Sequence, residues 1–321
     1  NILAVGAIEN DGGGTYSGHT RVYQYSGGSW LQVGSDIDGF SANERSGTSV
    51  SLSNDGNTVV IGHPDADGSG TLSGRISTFY NPIPPIINSV SSSTADGSYK
   101  EGDSITINVA FTEAVTVDTA NGIPTLELET GTTDRKATYT SGSGTNTLTF
   151  TYTVAAGDTS SDLDFTSTSA LSLNSGAIKD VDGNNAILTL ASPGASGSLG
   201  TNNALIIDTT APSAPSSLTT TAKTTSDATP TITGTAEAGS TVEVFSSSTS
   251  LGTTTADSNG AFSFTQSSAL SAGSHSITAK ATDAAGNVST ASSALSIKII
   301  SDSDSTAPTI DNVSFSTTNV D

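Results

Sequence analysis

The sequence predicts an all-β protein: serial β-sandwiches that follow part of a propeller-like β-repeat region. Three observations carry this. Val, Ile and Thr recur in alternating runs such as "DSITINVAFT" and "TLTFTYTV", the two-residue period of strands with one buried face. Clusters of Asp, Asn, Gly and Ser separate those runs at short, regular intervals, as turns do. No long amphipathic helical pattern interrupts them. Charged residues are only 13% of the 321, and a disordered chain carries more charge and fewer β-branched residues.

The charge balance narrows the partners. There are 31 acidic against 10 basic residues, a net charge of −21. Nucleic acid is excluded because its phosphates need a basic face, and an anionic lipid surface repels the chain for the same reason. Excess carboxylate among neutral residues fits a protein that meets divalent cations. The chain has no cysteine and no methionine. Calcium in place of disulfides suits an extracellular, cell-surface setting, and no apolar run approaches the ~20 residues of a membrane span. The expectation is an interior piece of a longer secreted chain whose partners are its own neighbouring domains, copies of itself, or a surface glycan or protein.

Residues 1–80 contain a repeat. "NILAVGAIENDGGGTYSG" begins at Asn1 and "NTVVIGHPDADGSGTLSG" at Asn57, 56 residues on, without a gap through Gly18 and Gly74. A hairpin is expected at Asn54-Asp55-Gly56-Asn57, whose residues accept positive φ. A further strand follows each loop, "HTRVYQY" and "RISTFY", and Trp30 is expected to pack within its blade. Repeats of this size with several strands each suggest about one and a half propeller blades. The stretch Ser46–Pro64 resembles FG-GAP-type blades of integrin-like propellers, whose signature ends in an apolar strand followed by Gly-Ala-Pro. Here that ending reads Val60-Ile61-Gly62-His63-Pro64.

The proline linker "NPIPPI" opens residues 81–208, a long sandwich with strands from "DSITINVAFT" to "ALIID". Residues 209–303 form a shorter sandwich. Its landmarks are "TPTITGTAEAGSTVEVF", "GTTTADSNGAFSF" and "ITAKATDAAGN", and with them it resembles the immunoglobulin-like domains repeated in giant secreted bacterial adhesins. "EGDSITINVAFTEAVTV" and "LDFTSTSALSLNSGAIKDVDGNNA" make the long sandwich look like a partner repeat of such proteins. In residues 304–321, "PTIDNVSFST" from Pro308 aligns with "PIINSVSSST" from Pro85, so a further long sandwich begins there. The boundary word "DTTAP" at Asp208 returns as "DSTAP" at Asp304, 96 residues later.

These joints are the first candidate sites. In an immunoglobulin-like sandwich the loop before the last strand lies at the same end as the N-terminus. That loop carries Asp283 and Asn287, and the preceding strand ends on Asp208. Three oxygen-bearing side chains are thereby expected to meet around a structural Ca2+, which takes six to eight oxygens. The plain alternative is a tight turn and a strand cap, which favour the same residues. Asp302, Asp304 and Asp311 repeat the relation at the next joint. "KDVDGNNA" sets Asp180, Asp182 and Asn184 on alternate positions, like the start of an EF-hand but with an early glycine and no twelfth-position Glu. Glu101 or Asp103 are considered as its further ligands, and an exposed hairpin is the alternative. In the blades, "ENDGGG" and "DADGSG" place Glu9, Asp11, Asp65 and Asp67 in matching loops, with Asp36 and Asp38 nearby. Asp257-Ser-Asn-Gly260 reads as a hairpin turn alone.

Catalysis finds no support. His19, His63 and His275 are scattered, and no G-x-S-x-G or H-E-x-x-H motif occurs. "SLSNDGNTVV" resembles the aspartate box of sialidase propellers but lacks its aromatic ending. The reading is a non-catalytic stalk segment of an adhesin. A self-assembling subunit of a surface layer or filament and a propeller-end glycan- or protein-binding module are the alternatives.

Overall fold

The computed structural model describes residues 2–26, 29–54, 56–67, 73–80 and 83–301. The chain divides into two compact units, Asn1–Asp208 and Thr209–Asp321.

The first unit opens with two three-stranded antiparallel sheets. One has the order β1 (Ile2–Ala7), β2 (His19–Ser26), β3 (Ser29–Asp38); the other β4 (Ser49–Leu52), β5 (Thr58–His63), β6 (Arg75–Tyr80). The expected hairpin joins β4 to β5, with Gly56 at φ +78°. The sequence repeat places β5 over β1 and β6 over β2. The sheets pack face to face on a small core in which Val22, Val59, Ile61 and Ile83 are buried, with Ile2, Ala4, Val33, Ile37, Val50, Leu52 and Phe79 around them. Backbones touch across that junction: a Cβ on Gly6 would lie 2.1 Å from the Gly47 carbonyl oxygen, so only glycine fits there. Trp30 departs from expectation. It sits exposed on the outer face, edge-on to its cross-strand neighbour Tyr25 at 5.3 Å. The apolar residues of β2 and β3 that do face the core are smaller.

The rest of the unit is a sandwich. Its strands are β7 (Ile87–Ser92), β8 (Gly97–Tyr99), β9 (Ser104–Asp118), β10 (Thr125–Leu128), β11 (Arg135–Ser141), β12 (Thr145–Thr153), β13 (Thr159–Ser160), β14 (Leu171–Ser172), β15 (Ala177–Lys179) and β16 (Leu205–Asp208). A single turn of helix, α1 (Leu199–Asn202), precedes β16. The large sheet runs β14-β10-β11-β12-β9-β15 with β7 also on β9, and the small sheet runs β13-β16-β8. Alternation drives burial: β12 sends Leu148, Phe150 and Tyr152 inward and its threonines outward.

The second unit repeats the plan with β17 (Ser216–Thr219), β18 (Thr224–Thr225), β19 (Thr231–Thr235), β20 (Thr241–Ser246), β21 (Thr249–Thr255), β22 (Ala261–Thr265), β23 (Gly273–Thr282) and β24 (Leu295–Ile299). Its sheets run β17-β19-β22 and β18-β24-β23-β20-β21. Val242, Val244, Phe262, Phe264, Ile277, Ile297 and Ile299 share its core. In both sandwiches the first strand pairs in one sheet, and the chain then crosses to pair in parallel with the last strand of the other. These pairs are β8 with β16 and β18 with β24.

Phe150→Ala should cost the first sandwich about 3–5 kcal/mol, because a wholly buried ring leaves a cavity. Urea unfolding followed by hydrogen exchange checks this: protection should fall across residues 87–208 and hold across 216–299.

Candidate metal-binding loops

The D-x-x-G-N loops of the two sandwiches have one geometry. In the first, the Asn184 backbone N–H donates to Asp180 Oδ1 at 2.8 Å and its side-chain Nδ2 donates to Oδ2 at 2.7 Å. In the second, Asn287 makes the same two bonds to Asp283, both at 2.9 Å. Each aspartate N–H in turn donates to its asparagine carbonyl at 3.1 Å, and Gly183 and Gly286 take the left-handed bend at φ +88° and +89°. The aspartate thus clamps its own turn. Both loops stand at the end where the chain enters their sandwich. Thr282, before Asp283, pairs with Thr241, a few residues beyond the Thr235 that faces Ser216. Lys179, before Asp180, pairs with Thr116, and Ile187 bridges Ile86.

Asp208 ends β16 at the opposite, exit end of the first sandwich, opposite Thr159 and just past the Ile207–Tyr99 pair. Asp208, Asp283 and Asn287 are each half-buried. Two hydrogen bonds leave a carboxylate with lone pairs to spare. Nδ2 of Asn287 is committed to Asp283. The carboxylate of Asp283 and the amide of Asn287 carry oxygens of the kind calcium takes. Asp180 is buried, and Asp182 stands exposed at the crest of its turn. Glu101 and Asp103 do not join that loop. Asp103 precedes β9 at its start while Lys179 pairs near its end, on the order of 40 Å away along an extended strand. Asp103 instead accepts from the Lys100 N–H at 2.9 Å.

The blade acids are also engaged locally. Asp11 Oδ1 accepts from the Tyr16 N–H at 2.8 Å, Asp65 pairs with Arg45 at 3.3 Å, and Asp67 and Glu9 are exposed. Asp36 and Asp38 join His19, an assembly the sequence did not single out. His19 is buried, with Nδ1 3.6 Å from Asp36 and 3.9 Å from Asp38. Arg21 holds Asp36 in a two-pronged pair at 2.8 and 2.6 Å; with help from Gln32 this outweighs desolvation and pulls the carboxyl down to about 2. Asp302, Asp304 and Asp311 lie outside the described residues, as does the expected start of a further sandwich. Asp257 is the turn residue expected, accepting from Asn259 and Ala261.

Two structural acids escaped sequence reasoning because each has a partner distant in the chain, Arg135 for Asp158 and Leu199 and Gly194 for Asp164. Asp158 is buried and accepts from Tyr152 Oη at 2.7 Å, Arg135 Nε at 2.8 Å and the Ala155 N–H at 2.9 Å. Burial alone would raise its pKa, but the bonds from Tyr152 and Arg135 win and lower it. Asp164 receives the Leu199 and Gly194 N–H groups, capping the turn of helix that leads into β16.

Residues 201–312 match the bacterial Ig-like domain family. No curated protein sequence matches the chain. Solved structures with similarity include the FN1–FN3 domains of chicken CNTN1 (10% identity, 85% of each chain, TM-score 0.35). The fibronectin(III)-like modules of Clostridium thermocellum CbhA share 16% identity over 70% of this chain and 98% of that one, TM-score 0.30. A biofilm-associated protein's BSP domain shares 16% over 81% and 46%, TM-score 0.22. The strand pairing, not these likenesses, defines the fold. Among the described residues no helix is long and apolar enough to cross a membrane.

Asp180→Ala removes two bonds to a charged acceptor and should cost about 1–3 kcal/mol, read as faster exchange at Gly183 to Asn185. The Asp158 carboxylate has a lowered folded pKa. Its stabilisation is therefore present above the unfolded value near ~4 and is lost as pH falls below it. Asp158→Ala should flatten that acid limb in a pH series of melts, and leaving Tyr152 Oη unpaired should cost about 1–3 kcal/mol.

Proposed function

We propose that the chain is a non-catalytic segment of a large bacterial surface protein, the stalk of an extracellular adhesin whose serial β-domains are stiffened by calcium. The observation that carries this reading is the recurrence of one D-x-x-G-N clamp at the entrance of each sandwich, with the strand before the second sandwich ending on an acid. Asp208, Asp283 and Asn287 are the residues assigned to the ion, together with backbone carbonyls and water. Calcium supplies the positive charge that offsets such carboxylates. The match of residues 201–312 to bacterial Ig-like domains supports the surface setting, and a net charge of −21 suits a stalk that stays soluble. Residues 1–80 are assigned to FG-GAP-like blades, on the support of two repeat-related sheets packed face to face.

An ion that binds only the folded state stabilises it by mass action, about 2.7 kcal/mol at a free concentration 100-fold above its dissociation constant. Melting in calcium should therefore exceed melting in chelator, and Asp283→Ala should remove part of the difference. Superimposable curves would refute the calcium reading. A second reading, a self-assembling surface subunit, is favoured by the bare apolar faces of the repeat sheets.

A further inference from the structure

A buried polar atom without a hydrogen-bond partner calls for an explanation, and a bound ion is one. His19 Nδ1 is such an atom. Its residue is only 5% exposed, and the nitrogen has no partner. It faces two carboxylates, Asp36 Oδ2 at 3.6 Å and Asp38 Oδ1 at 3.9 Å. Both lie beyond hydrogen-bond reach. Such separations suit a shared ion instead. Two ligand atoms bound at ~2.0–2.2 Å in a tetrahedral shell stand about 3.3–3.6 Å apart. The Asp36 edge has that length, and the Asp38 edge asks only a small inward movement of an exposed side chain.

Strand pairing builds this group. His19 opens β2 directly opposite Asp38, the last residue of β3, and Asp36 lies two residues before Asp38 on the same strand. Arg21 and Gln32 fix Asp36 by hydrogen bonds, as outer partners do for ligating carboxylates. Gly12 backs Asp38: a Cβ there would lie 2.3 Å from Oδ1, so the glycine leaves that oxygen its room. Two carboxylates against one guanidinium keep the place net negative.

We infer that His19 Nδ1, Asp36 and Asp38 hold a first-row divalent metal ion of the zinc class, with water completing its shell on the exposed Asp38 side. Imidazole nitrogen suits zinc and its neighbours, whereas calcium and magnesium take oxygen. The site is therefore chemically distinct from the clamp loops and independent of the calcium reading. An ion there satisfies the buried nitrogen and ties the start of β2 to the end of β3.

Zinc titration calorimetry of the whole chain in saturating calcium tests it. One ion should bind per chain, and the melting temperature should rise above its value in calcium alone. Of the three histidines, His19 should be the one whose ring resonances move in nitrogen-15 NMR. Loss of an outer-shell partner already costs ~10–100-fold in metal affinity, so His19→Ala and Asp38→Asn should each weaken zinc binding at least ~10-fold. Asp38→Asn keeps the size of an exposed side chain, and it carries the test if the buried substitution unfolds the sheet. His275→Gln should leave zinc binding unchanged, since that ring is engaged by Ser246 and Ser271. The inference is overturned if no zinc binds in saturating calcium, if calcium displaces it, or if the His19 resonances stay in place. It is equally overturned if uptake survives both substitutions, as adventitious binding to surface carboxylates would.

Discussion

Every sheet in this chain must bury one of its faces, and little else is available to hold it. There is no cysteine to cross-link, and the one helix among the described residues is a single turn. Apolar side chains are a third of the composition. They suffice because alternation sends nearly all of those in the sandwich strands to one side, while threonine and serine meet the water on the other. Each sandwich then closes by the same device, in which an early strand crosses over to pair in parallel with the last. That pairing locks both the entrance and the exit of the chain into the fold. It is also why Asp208 and the clamp loops stand at the ends of their sandwiches, where successive domains are joined.

The acidic residues divide by what they touch. Asp158 and Asp164 are buried and saturated with hydrogen bonds, so they organise the interior. Asp180 and Asp283 clamp turns, and Asp11 and Asp257 do so more simply. An anionic protein therefore spends many carboxylates on its own backbone amides, which are the closest donors when lysine and arginine are few. Calcium, in the proposed reading, adds to these turns rather than replacing their bonds, since a carboxylate has more lone pairs than a turn consumes.

The repeat region obeys the same constraint and meets it only halfway. Its two sheets cover one face of each other and leave the remaining pair bare. A sandwich is complete with two sheets because each has a polar outer face. A repeat with apolar residues on both faces is complete only in series.

The strand positions, the turns at Gly56, Gly183 and Gly286, and the strand ending on Asp208 were legible in the sequence, because period-two alternation and left-handed glycines are local. The acids of "DVDGN" and "DAAGN" were legible as candidates, but that both loops share one clamp, and whether their side chains faced an ion or their own turn, was not. That depends on atoms a few ångströms apart in a folded loop. Trp30 was expected within its blade, whereas the tertiary structure turned it outward, since β2 and β3 had one inner face and smaller residues occupied it. The Asp158–Tyr152–Arg135 network and the His19–Asp36–Asp38 group arise from strand pairing and bulge geometry, which join residues that no local pattern connects. The sequence by itself determined where the chain extends and where it bends. Only the tertiary structure decided which side of each strand is covered, because coverage belongs to pairs of sheets and not to any one of them.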